Sequence, residues 1–439
     1  MTAPSTQTAN PMWNKPGQPV PIEPSQLVVG LYVWLDMPWD EHPFIANRFL
    51  VKTAKDVAVI QSLVTQGKLY YHPDKSSATP APVPEDPPSA DDVARAQADE
   101  AALALAKEVK AMEADKKARQ QRQKDSATRA DRAWEQAARS TKDALLTLNR
   151  SPKSAGEMLS ALSRETAAAI SQGQNILLHL LGDKKEQGPQ FHALNVLTLC
   201  MLVGKKVGLS ERELADLALG ALAHDAGKVQ VPPQILKTNQ RKKHEEDFFR
   251  QHVMFSVQLA SQSGVFSKEA LSIVADHHEA VDGSGWPRSH QTSSKAARIL
   301  AVVNRYDNLC TPEAADAIPL MPAEALARMF RLEGKQLDTA ILSALIKLLG
   351  VYPPGTVVQL SDGSLALVVA PGPDSLRPQV LVYSPDVNKA DAPTVELHNE
   401  TDLKITEAIR PSTLPPDVFA WLNPQQRLSY FFSVESGSR

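Results

Sequence analysis

The sequence predicts a mainly helical protein with a small α+β module near its N-terminal end and a small β appendage near its C-terminal end. Three observations predict this. From Thr141 to about Gly350 apolar residues recur at three- and four-residue spacing, broken only briefly at Gly and Pro, which is the period of helices that each bury one face. Ahead of that region two β-rich runs flank one short helical run. Behind it, "GTVVQLSDGSLALVVA" holds two β-rich runs around Asp362-Gly363, a strong hairpin signal.

Residues 1–24 are rich in Pro, Thr and Gln and are expected to be flexible. Residues 25–73 make the module. "LVVGLYVWLD" reads as a strand, "KDVAVIQSLVTQG" as a helix with Val57, Ile60 and Val64 on one face and Gly67 at its end, and "KLYYH" as a second strand. Residues 74–140 are a Pro-rich linker followed by a charged stretch from Ala90 to Arg139. There Val93, Leu103, Val109 and Met112 keep no sustained heptad, so a long solvated helix is expected rather than a coiled coil. Residues 141–349 form the helical domain, and 350–412 a β-rich tail with "QVLVYS" as a third strand. Residues 413–439 are a C-terminal segment.

A chain of 439 residues has room for two or three domains and a sizeable core. With 47 Lys and Arg against 50 Asp and Glu, the net charge of −3 offers no basic footprint for nucleic acid. The two cysteines, Cys200 and Cys310, lie in apolar segments, as packing residues of a reducing compartment do. No apolar run approaches the roughly 20 residues of a membrane span, and the first residues lack a hydrophobic signal core. The expectation is a cytoplasmic protein without a membrane span.

The chemistry concentrates in the helical region. "LAHDAGKVQVPPQIL" sets His224 beside Asp225 at the end of an apolar run, with Lys228 three residues on. His192, His252, His277 and His278 fall in the same region. Any one of these is more often a surface or hydrogen-bonded core histidine. Two adjacent groups, His224-Asp225 and Asp276-His277-His278, favour metal binding, because imidazole suits iron, manganese and zinc while one carboxylate can bridge two ions about 3.5–4 Å apart. Lys228, about one helical turn from His224, is placed either to neutralise a phosphate oxygen or to cap a helix C-terminus.

"HDAGK" followed by "VPPQIL", then "HHEAVDGSGWP", then "ARILAVVNRYDNL", with "LGVYPPGT" leading into the β tail, resembles the HD-GYP family. This is a branch of the HD metal-dependent phosphohydrolases that hydrolyses cyclic di-GMP. The likeness covers roughly residues 142–410, and residues 25–73 resemble a domain of unknown role often found ahead of HD-GYP domains. It implies an all-helical HD-type phosphohydrolase domain with two divalent metal ions. The implied ligands are His192, His224, Asp225, His252, His277, His278 and Asn304. It also implies Asp225 as the bridge, Lys228 as a phosphate contact, and Gly285, Trp286 and Pro287 as the substrate-facing loop. The activity implied is cyclic di-GMP phosphodiesterase, giving pGpG, with further cleavage to GMP left open. GGDEF-domain proteins are implied as partners of the Gly285-Trp286-Pro287 loop, and a homodimer is left open.

The sequence departs from the family pattern in four ways. Asn304 stands where an aspartate is common. Gly188 stands where members with a third metal carry glutamate, so two ions are expected. Trp286 replaces the family's tyrosine. Glu313 and Asp316 occupy a segment that is basic in many members. These departures support the alternative of a weakly active or inactive cyclic di-GMP receptor, or an adaptor for a diguanylate cyclase.

Overall fold

The structure, a computed structural model, describes residues 19–435 apart from 38–40, 45–46, 65–67, 83–91, 173–174, 181–187, 293, 386, 388, 390–391, 393, 401–402 and 425–429. It divides into two units, Met1–Lys124 with Ser384–Pro393, and Asp125–Tyr383 with Thr394–Arg439.

The first unit contains strands β1 (Val20–Pro21), β2 (Tyr32–Leu35) and β3 (Arg48–Leu50), helix α1 (Ala54–Leu63) and strand β4 (Leu69–Tyr71). Its antiparallel sheet has the order β1-β4-β2-β3. Period-2 alternation turns Val33 and Leu35 inward, where they meet Leu31, Val51, Leu69 and Ile60 of α1. Thr53 and Asp56 start α1 with a reciprocal capping box. Helix α1 ends at Leu63, and Gly67 lies outside the described residues.

The module is wider than residues 25–73. Val20 and Pro21 pair with Tyr71 and Tyr70, so the stretch read as flexible already contains a strand, while residues 1–18 lie outside the described residues. Beyond Pro73, Ser76 Oγ accepts the Tyr32 N–H at 2.8 Å, and the Ser77 and Ala81 N–H groups donate to Gly30 and Gln26 carbonyls. The first part of the Pro-rich stretch is thereby tied to the sheet, which satisfies its backbone.

Helix α2 (Asp92–Leu148) runs unbroken through the 140/141 position. Trp134 and Ala138 are buried in the core of the second unit, and Trp134 stacks on Phe191 at 5.1 Å. One face of the last third of this helix is therefore packed into the core while the other stays solvated, the buried face carried by an i,i+4 pair set among charged residues.

The second unit continues with α3 (Pro152–Gln172), β5 (Asn175–Leu180), α4 (Pro189–Lys206), α5 (Glu211–Ala223), α6 (Pro233–Leu236), α7 (Lys243–Arg250) and α8 (His252–Ser263). After them come α9 (Lys268–Asp276), α10 (Lys295–Cys310), α11 (Pro322–Leu332) and α12 (Thr339–Leu349). Helix α4 is buried almost continuously from Ala193 to Gly204, as an apolar-all-round helix must be. It lies in one core with Leu214, Leu217 and Leu222 of α5, Ile299 to Tyr306 of α10, and Leu342 and Leu345 of α12. Cys200 and Cys310 are buried there, and burial raises both thiol pKa values. That suits packing and not chemistry.

Strands β6 (Val357–Leu360), β7 (Leu365–Ala370), β8 (Gln379–Val382), β9 (Thr394–Glu396) and β10 (Ile405–Ile409) follow, in an antiparallel sheet of order β10-β6-β7-β8-β9. The β6–β7 hairpin turns at Asp362-Gly363 as expected. Leu414, Val418 and Leu422, the last two on α13 (Pro416–Leu422), cover one face of this sheet. The final strand β11 (Tyr430–Glu435) pairs antiparallel with β5. Both differ from the sequence expectation: residues 141–349 are not wholly helical, and residues beyond 412 belong to the sheets. Among the described residues no helix is long and apolar enough to cross a membrane.

Candidate metal centre

The defining dipeptide sits where α5 ends. Ser210 and Glu213 cap the start of α5, and its apolar face is buried through Ala223. His224 is the C-cap, and Asp225 begins a 3-10 turn over Ala226–Gln230. Gly227 lets this turn lie on the start of α8, since a Cβ there would meet the His252 carbonyl oxygen at 2.2 Å. The Gly227 N–H donates to Ser256 Oγ at 2.8 Å.

Four of the histidines of the centre are each aimed by the other ring nitrogen. A carbonyl oxygen only accepts, so the nitrogen facing it carries the hydrogen. His224 Nδ1 donates to Ala221 O at 2.8 Å, His252 Nδ1 to Phe249 O at 2.7 Å, and His277 Nδ1 to Val274 O at 2.6 Å. His192, from α4, directs Nδ1 at the buried Asp307 carboxylate of α10, 2.7 Å away. All four Nε2 atoms are left to converge on Asp225.

They converge from two sides. His192 Nε2 and His224 Nε2 lie 3.4 and 3.3 Å from Asp225 Oδ2. His252 Nε2 and His277 Nε2 lie 3.3 and 3.8 Å from Oδ1. Two donor sets result, His192-His224-Asp225 and Asp225-His252-His277-His278, each with its donor atoms within 4.8 Å of one another. Asp225 Oδ1, His252 Nε2 and His277 Nε2 are buried without a hydrogen-bond partner. Buried polar atoms are nearly always satisfied, so this arrangement of orphaned lone pairs fits divalent cations, which take imidazole nitrogen and carboxylate oxygen.

At Asp225, His277 and His278 the electrostatics agree with that fit. Burial alone would raise the Asp225 pKa, but His224, Lys228 and His192 outweigh it and hold the carboxyl well below its usual range. Burial pushes His277 and His278 well below the usual histidine value, helped by neighbouring imidazoles. An anionic carboxylate and neutral imidazoles are the ligating forms. For His192, burial opposes protonation, yet the Asp225 and Asp307 carboxylates prevail and raise its pKa to about 9. Burial also opposes the charge on Lys228, and Asp225 and Glu313 hold its pKa up.

Lys228 Nζ is 2.7 Å from Asp225 Oδ2 and 3.0 Å from Glu313 Oε2, so it faces the centre, and among the described residues its hydrogen bond goes to a carboxylate and not to a helix-end carbonyl. Trp286 stacks on His278 with ring centroids 3.9 Å apart and lies edge-on to His252 at 5.5 Å. Gly285 packs against backbone, since a Cβ would meet Ala280 N at 2.3 Å. Its part is to hold Trp286 in place. Pro287 is exposed and joined to Trp286 by a cis peptide. The buried Glu279 carboxylate accepts the Arg288 N–H at 2.8 Å and the His290 N–H at 3.2 Å, and Asp276 pairs with the Arg288 guanidinium. Asp276, the acidic neighbour of His277, thus anchors the loop and does not join the donor sets. Asn304 is buried, and its Oδ1 accepts from Asn308 Nδ2 at 2.7 Å; among the described residues no hydrogen bond joins it to the histidines.

Asp307 and Glu279 are the site residues that motif reading passed over. Asp307 also accepts from Asn195 Nδ2 at 3.0 Å and Thr311 Oγ1 at 2.9 Å. The sequence signal for it was an aspartate one helical turn beyond Asn304 in "ARILAVVNRYDNL". For Glu279 it was the acidic residue directly after the double histidine.

A helical domain whose helix ends bring four imidazoles around one aspartate defines a metal-centred HD-type domain. The family model for the HD domain matches residues 175–341, and that for a domain of unknown function, DUF3391, matches residues 20–157. The chain is 28% identical over 239 residues to the cyclic di-GMP phosphodiesterase PA4108 of Pseudomonas aeruginosa, covering 53% of this chain and 57% of that protein. It is 31% identical over 150 residues to the cyclic di-GMP phosphodiesterase response regulator RpfG of Xanthomonas campestris pv. campestris, covering 33% of this chain and 39% of that one. The chain thus spans little more than half the length of the first relative and less of the second. Among solved structures, an HDG"Y"P protein of Bdellovibrio bacteriovorus aligns with 75% of this chain and 97% of its own at 14% identity and a TM-score of 0.38. The chain thus carries a match to the HD domain, with the match to the domain of unknown function ahead of it, and is similar over that region to proteins named cyclic di-GMP phosphodiesterases.

Proposed function

We propose that this protein hydrolyses the phosphodiester bonds of cyclic di-GMP to pGpG and then GMP, using two divalent ions that share Asp225. The observation that carries the reading is the division of one carboxylate, with Oδ2 facing His192 and His224 and Oδ1 facing His252 and His277. The names of the relatives supply the nucleotide. Iron, manganese and zinc all suit this donor set. Divalent ions at such a site supply charge that polarises a phosphodiester and makes water acidic enough to give hydroxide near neutral pH.

The chain's own groups do the rest. Lys228 binds a non-bridging phosphate oxygen, a charge-assisted contact. Asp307 orients His192. Trp286, seated on His278 by Gly285, borders the site with Pro287 and offers an apolar wall to a base. Asn304 would offer a neutral oxygen to an ion, since its Oδ1 keeps a second lone pair beside the Asn308 bond. The exposed Pro287 edge is where a GGDEF-domain protein would dock, and the setting we assign is the cytoplasm.

The test is to purify the protein anaerobically, analyse its metal, incubate it with cyclic di-GMP and separate the products. pGpG should form and should disappear when a chelator is added. Bound but uncleaved nucleotide on metal-loaded protein would contradict hydrolysis and support a receptor.

A further inference from the structure

A second carboxylate, from Glu313, meets Lys228 beside the centre. Of the two acids paired with Lys228, Asp225 lies on the inner side, while the Glu313 side chain is 48% exposed and lies on the solvent side. Glu313 is not a drifting surface residue. Just before it, the Thr311 N–H and Oγ1 donate to the Asp307 carbonyl at 2.7 and 2.9 Å. Just after it, the Ala315 N–H donates to Lys237 O at 2.9 Å, and Asp316 accepts from Thr238 Oγ1 and the Asn239 N–H, each at 2.8 Å. The peptide is therefore held on both sides, and the Glu313 carboxylate is aimed at the one ammonium assigned to the phosphate.

We propose that Glu313 is an internal competitor for the substrate phosphate, a positioning residue that holds Lys228 and must be displaced from it before a phosphodiester oxygen can bind. The proposal rests on the reading of Lys228 as the phosphate contact. An ammonium has three donor hydrogens, but a carboxylate at 3.0 Å both occupies one and cancels charge that would attract an anion. Removing that negative charge without changing the shape frees the donor, so binding should tighten while the reacting groups are untouched. The effect belongs to KM and not to kcat.

The decisive variant is Glu313→Gln in the full-length, metal-loaded protein, alone and combined with Lys228→Ala. Two quantities are measured: the affinity for inorganic phosphate by calorimetry, and KM for cyclic di-GMP. Glu313→Gln should tighten phosphate binding and lower KM by about three- to tenfold, the scale of one partly exposed ion pair. The gain should vanish when Lys228 is alanine, because the two residues act through one contact. Phosphate affinity that is unchanged or weaker in Glu313→Gln overturns the proposal, as does a gain of equal size without Lys228. Should no form of the protein cleave cyclic di-GMP, the hydrolysis reading fails while the phosphate measurement still decides the role of Glu313.

Discussion

Asp307 decides which nitrogen of His192 is left for the centre. Its carboxylate takes the Nδ1 hydrogen at 2.7 Å and is itself held by Asn195 and Thr311. Partners of this kind fix ring orientation and raise ligand basicity. Asp307→Asn should therefore weaken metal binding by roughly 10- to 100-fold, read by competition with a chelator, while the circular dichroism stays helical. Lys228→Ala separates substrate from metal: kcat/KM for cyclic di-GMP should fall by about 10- to 150-fold, equivalent to about 1.5–3 kcal/mol for a charged hydrogen bond, with metal content retained. Loss of metal in that variant would show that Lys228 supports Asp225 instead. The His-Asp pair and the double histidine were legible because adjacent ligands leave a local mark. Asp307 was not, because its partner His192 lies on another helix, 115 residues away, and only packing brings α4 and α10 together.

At the scale of elements, the centre depends on close approach. The turn after Asp225 lies on the first turn of α8 because Gly227 has no side chain. Gly227→Ala should push His252 away from Asp225, destabilise the second unit by about 1–3 kcal/mol as overpacking does, and release metal. A normal metal content in that variant would contradict the account. Trp134→Ala tests the other unexpected element. It removes a buried side chain stacked on Phe191 next to His192 and should cost about 3–5 kcal/mol, seen in thermal unfolding. Charged neighbours hid this stretch of α2, whose burial shows in the sequence only as Trp134 and Ala138 four residues apart. The β5–β11 pair was hidden differently. "NILLHL" holds four apolar residues in six, and so short an apolar stretch fits a strand or a helix until its partner is known.

Over the whole molecule, the N-terminal module and the helical domain have separate hydrophobic cores, and the centre belongs to the second alone. Ligands that bind only the native state stabilise it by mass action. Removing metal should lower the melting temperature of the helical unit, by the equivalent of about 2.7 kcal/mol where the ion had stood at a hundredfold excess over its Kd, and leave the transition of the module in place. The helical class and the hairpin of the tail were legible in composition and period. The extent of each unit was not, because their edges at Val20, Ala81 and Trp134 are set by pairing and burial.

The shared carboxylate is tested most directly by titrating metal-stripped protein with iron, manganese or zinc under anaerobic conditions and following cyclic di-GMP cleavage against bound metal. Two donor sets joined by Asp225 predict a rate that climbs until two equivalents are bound, and an Asp225→Asn variant that neither holds two ions nor cleaves. Full activity at one equivalent, or two ions retained by Asp225→Asn, would contradict the account.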